Sequence, residues 1–136
     1  MPEQNGSDDP LSALLVDAAD VDRTLIAGVL NGVLAIDAST GRIVMSAGYQ
    51  RLDARRKIIA ALMGRKAAHL LHVVESESLT NKEVTEVTGL PPGTAAPSLK
   101  SLRELRLVAQ DGGKAYYVPN PQIHAAVQFL TTGGRS

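Results

Sequence analysis

The stretch TGLPPGTAAPSLKSLRELRLV, residues 88–108, constrains the fold more than any other part of the chain. Gly89 can end a helix in the left-handed conformation, and the prolines at 91 and 92 cannot continue that helix. The segment therefore predicts two helices that are held apart by a short and rigid turn.

The helix before this turn has a clear start in LTNKEV. Thr80 is placed to cap the helix, and Glu83, three residues later, completes a capping box. Leu79 and Val84 have the spacing of a hydrophobic staple across the first turn. We expect a helix of about eight residues, from Asn81 to Thr88.

The helix after the turn is expected over residues 94–106. Gly93 allows the chain to reverse, Thr94 can cap the helix, and Pro97 falls in its first turn, where the backbone N–H groups have no intrahelical partner. At 100° per residue, one side of this helix carries Ala95, Leu99 and Leu102. The opposite side is small and polar, with Thr94, Pro97, Lys100, Ser101 and Glu104.

A β-hairpin is expected after Val108. The sequence AQDGGKAYYVP places a turn signal, Asp-Gly-Gly, between two short runs, the second of which contains Tyr116 and Val118.

From about Leu52 to Val118 the chain resembles the winged helix-turn-helix domains of bacterial and archaeal transcription regulators, most closely in GTAAPSLKSLRELRLV followed by DGGKAYYV. The resemblance implies an α+β winged helix-turn-helix over residues 51–118, whose second helix enters the major groove of double-stranded DNA. Arg106 stands where such domains often have a glycine. The family pattern gives groove-facing positions to Thr94, Pro97, Ser98, Lys100 and Ser101 and the wing tip to Lys114; Lys82, Lys100, Arg103 and Lys114 are candidates for phosphate contacts.

An N-terminal extension over residues 11–50 precedes this domain, after a lead of about ten residues that we expect to be disordered. Leu11, Leu14, Leu15 and Ala18 have helical spacing, and Asp20 is placed to cap a following helix that carries Leu25, Ile26, Val29 and Leu30. Residues 33–36 and 42–45 predict a hairpin around DASTG. Asp53 can then cap a long helix that reaches to about Glu75.

Charge is distributed unevenly along the chain. Residues 1–50 carry two basic and seven acidic side chains, whereas residues 51–136 carry twelve basic and seven acidic ones. This asymmetry is typical of a basic module that meets a polyanion. The basic group RLDARRK opens the long helix, where the helix dipole disfavours cations, so DNA or the acids Asp17, Asp20 and Asp22 should pair with it. We favour pairing with the acids, within one chain or between two.

The C-terminal segment, residues 119–136, contains NPQIHAAVQFL, with Asn120 as N-cap and Pro121 at the first helical position. Ile123, Val127 and Leu130 form its apolar stripe. A helix after the wing often builds a dimer interface in regulators of this kind, so these three residues are predicted to join a homodimer. The alternative is that the stripe packs back on its own domain.

Several classes of function find no support in the sequence. The chain has no cysteine, which excludes disulfides and thiol nucleophiles and suits a cytoplasmic protein. His69, His72 and Glu75 have helical spacing, but no further cluster completes a metal site. No catalytic, phosphate-binding or membrane-spanning motif is found, and no cofactor is predicted. The expected function is that of a homodimeric DNA-binding regulator without catalysis; the alternative is a winged helix that binds protein.

Overall fold

The computed structural model describes residues 10–15 and 18–133. In chain order, the helices are α1 (Ala18–Leu30), α2 (Ala47–Gln50), α3 (Ala54–Leu70), α4 (Asn81–Thr88), α5 (Pro92–Glu104) and α6 (Ile123–Gln128). The strands are β1 (Leu34–Ile36), β2 (Ile43–Met45), β3 (Ala109–Gln110) and β4 (Tyr116–Tyr117). Short 3₁₀ turns cover Pro10–Leu14 and Asn120–Gln122, and a π turn covers Phe129–Gly133.

The strands form two separate antiparallel hairpins among the helices. In the first hairpin, Leu34 lies opposite Met45 and Ile36 lies opposite Ile43. In the second, Ala109 pairs with Tyr117 and Leu79 forms an additional bridge to Tyr116. Both hairpins predicted from the sequence are confirmed, and the α+β class with them.

Helix α3 is the centre of the molecule, because it packs against α1, α4, α5 and both hairpins. Asp53 caps it as predicted: its side chain accepts a hydrogen bond of 2.9 Å from the N–H of Arg56. The middle of α3 is buried all round, from Ile58 to Gly64. At Gly64, a Cβ atom would lie 3.0 Å from Leu34 Cδ2. This glycine therefore lets the first hairpin approach the helix closely.

Helix α3 ends at Leu70, not near Glu75 as the sequence suggested. The N–H of Leu71 closes the last turn on Ala67, and His72 then takes a left-handed conformation with φ of 63°. A left-handed residue cannot continue a right-handed helix, so the chain turns away here. Leu71 is more than half exposed and does not extend the buried stripe.

The N-terminal extension shares one core with the rest of the chain. The buried cluster runs from Ile26 and Leu30 in α1, through α3, to Leu130 near the C-terminus. Tyr49 of α2 is also buried, and its hydroxyl donates a hydrogen bond of 2.6 Å to the carbonyl of Thr88, the last residue of α4. The extension is therefore attached directly to the point where the helix-turn-helix bends.

The beginning of the extension differs from the prediction in two respects. Helix α1 begins at Ala18, so Asp20 lies in its first turn and is not the cap. Residues 10–14 form a 3₁₀ turn of their own, and the leucines there are exposed. The predicted disordered lead lies outside the described residues, except for Pro10.

Among the described residues, one charged side chain is buried in the core. Lys66 of α3 is only 2% exposed, pairs with the carboxylate of Glu77, and donates a hydrogen bond of 2.8 Å to Asn120 Oδ1. The sequence predicts Asn120 as the cap of the C-terminal helix. Its side chain holds Lys66 instead, because a buried ammonium group needs more than one acceptor.

None of the described helices is both long enough and apolar enough to cross a membrane.

Candidate nucleic-acid interface

The first helix of the helix-turn-helix, α4, begins and ends as the sequence predicted. The side chain of Thr80 accepts from the N–H of Glu83 at 3.2 Å, and Glu83 Oε1 accepts from the N–H of Thr80 at 2.9 Å. Leu79 and Val84 are both buried. Gly89 ends the helix with φ of 76°, a conformation that costs glycine little.

The second helix, α5, starts two residues earlier than expected, at Pro92. Pro91 is its N-cap, and the carbonyl of Pro91 accepts from the N–H groups of Thr94 and Ala95, both at 2.9 Å. Proline suits the first helical position because its φ is already close to the helical value. The predicted cap at Thr94 and reversal at Gly93 are therefore wrong, and Pro97 lies in the second turn.

The two faces of α5 separate as predicted. Ala95, Leu99 and Leu102 are buried against α3 and α4. On a helical projection, the centre of the outer face falls near Pro97, Lys100 and Glu104. The exposed residues of this helix are Pro92, Gly93, Thr94, Ala96, Pro97, Lys100, Arg103 and Glu104.

Two of the predicted groove-facing residues are less accessible than the sequence indicated. Ser98 and Ser101 are only partly exposed. Ser101 Oγ accepts a hydrogen bond of 3.2 Å from Arg55 Nη1 at the start of α3. The guanidinium of Arg55 also lies 5.5 Å from the centre of the Phe129 ring. Arg55 therefore connects α5 to the C-terminal segment. Helical spacing in the sequence could not reveal this role.

The wing is short, and its turn is well ordered by hydrogen bonds. Asp111 Oδ1 accepts from the N–H groups of Gly113 at 2.9 Å and Ala115 at 3.0 Å. The hydrogen bond from the Ala115 backbone is the main reason why the pKa of Asp111 is lowered. Lys114 lies at the tip, exposed, with φ of 69°. Lys114 therefore lies at the wing tip, as the resemblance implied, and it is accessible to a flanking phosphate.

Three further cations are exposed near the helix-turn-helix: Lys82 in the first turn of α4, Arg103 in the last turn of α5, and Arg106 just beyond it. Arg106 has φ of 65°, and the N–H of Leu107 closes the helix on the carbonyl of Leu102 at 3.1 Å. The tight exit is therefore kept with arginine in place of glycine. Arg106 is not among the DNA contacts predicted from the sequence. The signal for it was that it stands where such domains often have a glycine.

The basic group at the start of α3 does not pair with the acidic extension in the described residues. Arg56 lies 3.5 Å from Asp53, and Lys57 Nζ lies 5.3 Å from the centre of the Tyr49 ring. Asp22 instead lies 3.7 Å from His124. Arg56 and Lys57 thus have partners close to them in the sequence, whereas Arg55 contacts Ser101 and Phe129. Asp17 lies outside the described residues.

The predicted dimer interface lies within the core of its own chain. Ile123 and Leu130 are 2% and 7% exposed, and Val127 packs against the same cluster. Helix α6 contacts α1, which covers the stripe. The structure therefore favours the alternative of packing back, and Ile123 and Leu130 cannot meet a second copy unless the core opens.

Across residues 10–15 and 18–133 no group of three His, Asp or Glu side chains is arranged to hold a metal ion.

Residues 59–112 match the family model of the IclR helix-turn-helix domain, a winged DNA-binding domain of bacterial regulators. The match starts in α3, includes both helices of the helix-turn-helix, and ends in the turn of the wing. It therefore confirms the resemblance: this part of the chain is a winged helix-turn-helix domain of the kind that DNA-binding transcription regulators use. No curated protein and no solved structure matches the chain significantly.

Proposed function

Starting from a winged helix-turn-helix at residues 59–112, we propose that the chain binds double-stranded DNA as a homodimeric transcription regulator. The observation that carries the proposal is the outer face of α5. It is exposed, carries no aromatic and no large apolar side chain, and is followed by a wing with a lysine at its tip. Such a face can approach the floor of the major groove closely.

We further propose that this protein selects DNA more by shape than by direct contacts to bases. The centre of the outer face has Pro97, Lys100 and Glu104, and of these only Lys100 can donate hydrogen bonds to guanine. Ser101 is already engaged with Arg55. The exposed cations Lys82, Lys100, Arg103, Arg106 and Lys114 are suited to phosphate contacts, which supply affinity without reading the sequence.

A salt titration of DNA binding tests the proposal. Fluorescence anisotropy with a random duplex should show log affinity falling linearly with log salt, with a slope of about 0.9 for each neutralised phosphate. Replacing both Lys82 and Lys114 with alanine should weaken binding to all duplexes alike and reduce the slope by about 0.9 for each phosphate that is no longer neutralised. Arg42→Ala removes an exposed cation of the first hairpin and is the matched control, with affinity unchanged.

A protein-binding winged helix is the second candidate, and Glu104 is the observation that favours it. This carboxylate lies on the outer face itself, where it would repel DNA phosphates. An adaptor of this kind would not be retained on DNA even at low salt, so the first titration separates the two functions.

The DNA-binding function also requires access to the chromosome, and the proposal accordingly includes a cytoplasmic location.

A further inference from the structure

An open apolar groove of about 680 Å³ lies between α1, β1 and the C-terminal end of α3. Its lining is apolar except for Arg23 and Asn31. Ala27 and Gly28 contribute no bulk, and a Cβ atom at Gly28 would meet nothing within 4 Å. Leu71, at the end of the groove, is 54% exposed. A groove of this size and composition is a surface that a folded chain usually keeps covered.

The segment just before α1 exposes several apolar side chains to solvent. Leu11, Leu14 and Leu15 are 67%, 75% and 77% exposed, in a stretch of only six described residues. Exposed leucines are common singly, but three together on one short segment indicate a surface that meets another. We call residues 10–15 the N-terminal arm.

We propose that the N-terminal arm of one copy fills the groove of a second copy, so that two chains exchange arms about a two-fold axis. Apolar side chains meet an apolar groove, and the charges also match. In the sequence the arm is flanked by Asp8, Asp9 and Asp17, whereas Arg23 is the only charged side chain among the groove residues. The guanidinium of Arg23 is held at the groove by a hydrogen bond of 3.3 Å from Nη1 to the carbonyl of Leu70.

A second copy fits the groove better than the arm of the same chain does. Within one chain the leucines are exposed while the groove stands open. Only residues 16 and 17 separate the arm from α1, which forms one wall of the groove. The arm of the same chain would therefore have to reverse within these two residues to run back along that wall. Exchange of arms between two copies needs no such reversal. It also buries two arms and two grooves in each dimer.

This inference rests on the homodimer of the proposed function and supplies the interface that α6 does not. The exchange of arms would leave the outer face of α5 and the wing uncovered, because neither lines the groove. A dimer built in this way would carry two reading helices to DNA together.

The absence of cysteine from the chain permits a direct test by disulfide trapping without DNA. The double variant Leu14→Cys with Ala27→Cys, oxidised at low micromolar concentration, should give a disulfide-linked dimer on a non-reducing gel. A disulfide forms only where the two Cβ atoms come within about 4.5 Å. Each single variant is a control and should give far less dimer. A disulfide within one monomer would assign the groove to the chain's own arm, and no trapping above the single variants would show that the arm does not occupy the groove; either result overturns the inference.

Light scattering supplies a second readout. The wild-type chain of 14.3 kDa should scatter as a dimer at tens of micromolar. Leu14→Asp should scatter as a monomer with an unchanged circular dichroism spectrum, because Leu14 supports no core in its own chain. Val44→Asp alters a similarly exposed apolar residue outside the groove and should remain a dimer. A monomeric wild type, or a dimeric Leu14→Asp, overturns the inference. An arm-dependent dimer that fails to bind DNA would instead overturn only the proposed function.

Discussion

Replacing Tyr49 with phenylalanine should change the stability of this protein in opposite directions at neutral and at alkaline pH. The phenol is 3% exposed, and its hydroxyl donates a 2.6 Å hydrogen bond to the carbonyl of Thr88. Burial raises the pKa of Tyr49 from 10.0 to about 12. The same side chain therefore stabilises the fold when neutral and opposes it once the solution favours the phenolate.

The size of both effects can be worked out from this burial and this hydrogen bond. At pH 7 the variant lacks one buried hydrogen bond and leaves a carbonyl without that partner, which costs about 1.5 kcal/mol. Above pH 10 the unfolded tyrosine ionises while the folded one stays neutral, so the wild type is destabilised by about 1.4 kcal/mol for each pH unit until about pH 12. Phenylalanine does not titrate. The two stability curves should therefore cross near pH 11, with the wild type more stable below that pH and the variant above it.

Urea unfolding followed by circular dichroism at pH 7, 9, 10 and 11 measures this difference directly. All other titrating groups are common to the two proteins, so their contributions cancel in the comparison. Tyr117→Phe in the wing is the control, because it removes the hydroxyl of a tyrosine that does not bond to Thr88. A constant difference between wild type and Tyr49→Phe from pH 8 to 11 would refute the burial of this phenol. The absence of a difference at pH 7 would refute its hydrogen bond to Thr88, and with it the attachment of the extension to the helix-turn-helix.

Three further changes test the local structure around the site. Thr80→Ala should lower the free energy of unfolding by about 1 kcal/mol through loss of the capping box, whereas Thr80→Ser should be nearly neutral; chemical denaturation distinguishes them. Glu77→Ala should cost about 3 kcal/mol, because it removes the carboxylate and leaves the buried ammonium of Lys66 with Asn120 alone, and a destabilisation under about 1 kcal/mol would contradict the buried pair. Gly64→Val should cost about 1–3 kcal/mol by pushing the first hairpin away from α3, while Gly28→Ala, where a Cβ meets nothing within 4 Å, should be neutral or stabilising in thermal unfolding.

The local elements of the helix-turn-helix could be predicted because their signals lie within a few residues of one another. Thr80 and Glu83 cap a helix through bonds that span three residues, and Gly89 ends it through its own backbone preference. The wing turn is similarly fixed by Asp111 and the N–H groups that follow it. Where two local rules competed, the predicted boundary was wrong: proline at the first helical position prevailed over Thr94 as a cap.

Helix ends with weak signals and faces with two possible partners depended on the tertiary structure. Nothing local marks the end of α3 at Leu70, since the left-handed turn at His72 follows a continuous run of helix-forming residues. The stripe on α6 is equally consistent with an interface or with a core, and only the position of α1 shows that Ile123 and Leu130 are buried within the chain.

Side chains that join distant segments could not be paired from the sequence. Arg55 with Ser101 and Lys66 with Asn120 are 46 and 54 residues apart, and Tyr49 with Thr88 is 39 apart. Spacing patterns report neighbours on one helix or strand, whereas these pairs depend on how the surrounding elements pack on α3. Local sequence was enough to establish most of the helices, their apolar faces and the presence of a winged helix-turn-helix. Which cations remain free for DNA, and which apolar surfaces remain open to a partner, emerged only from the folded chain, because both depend on what the rest of the chain has already covered.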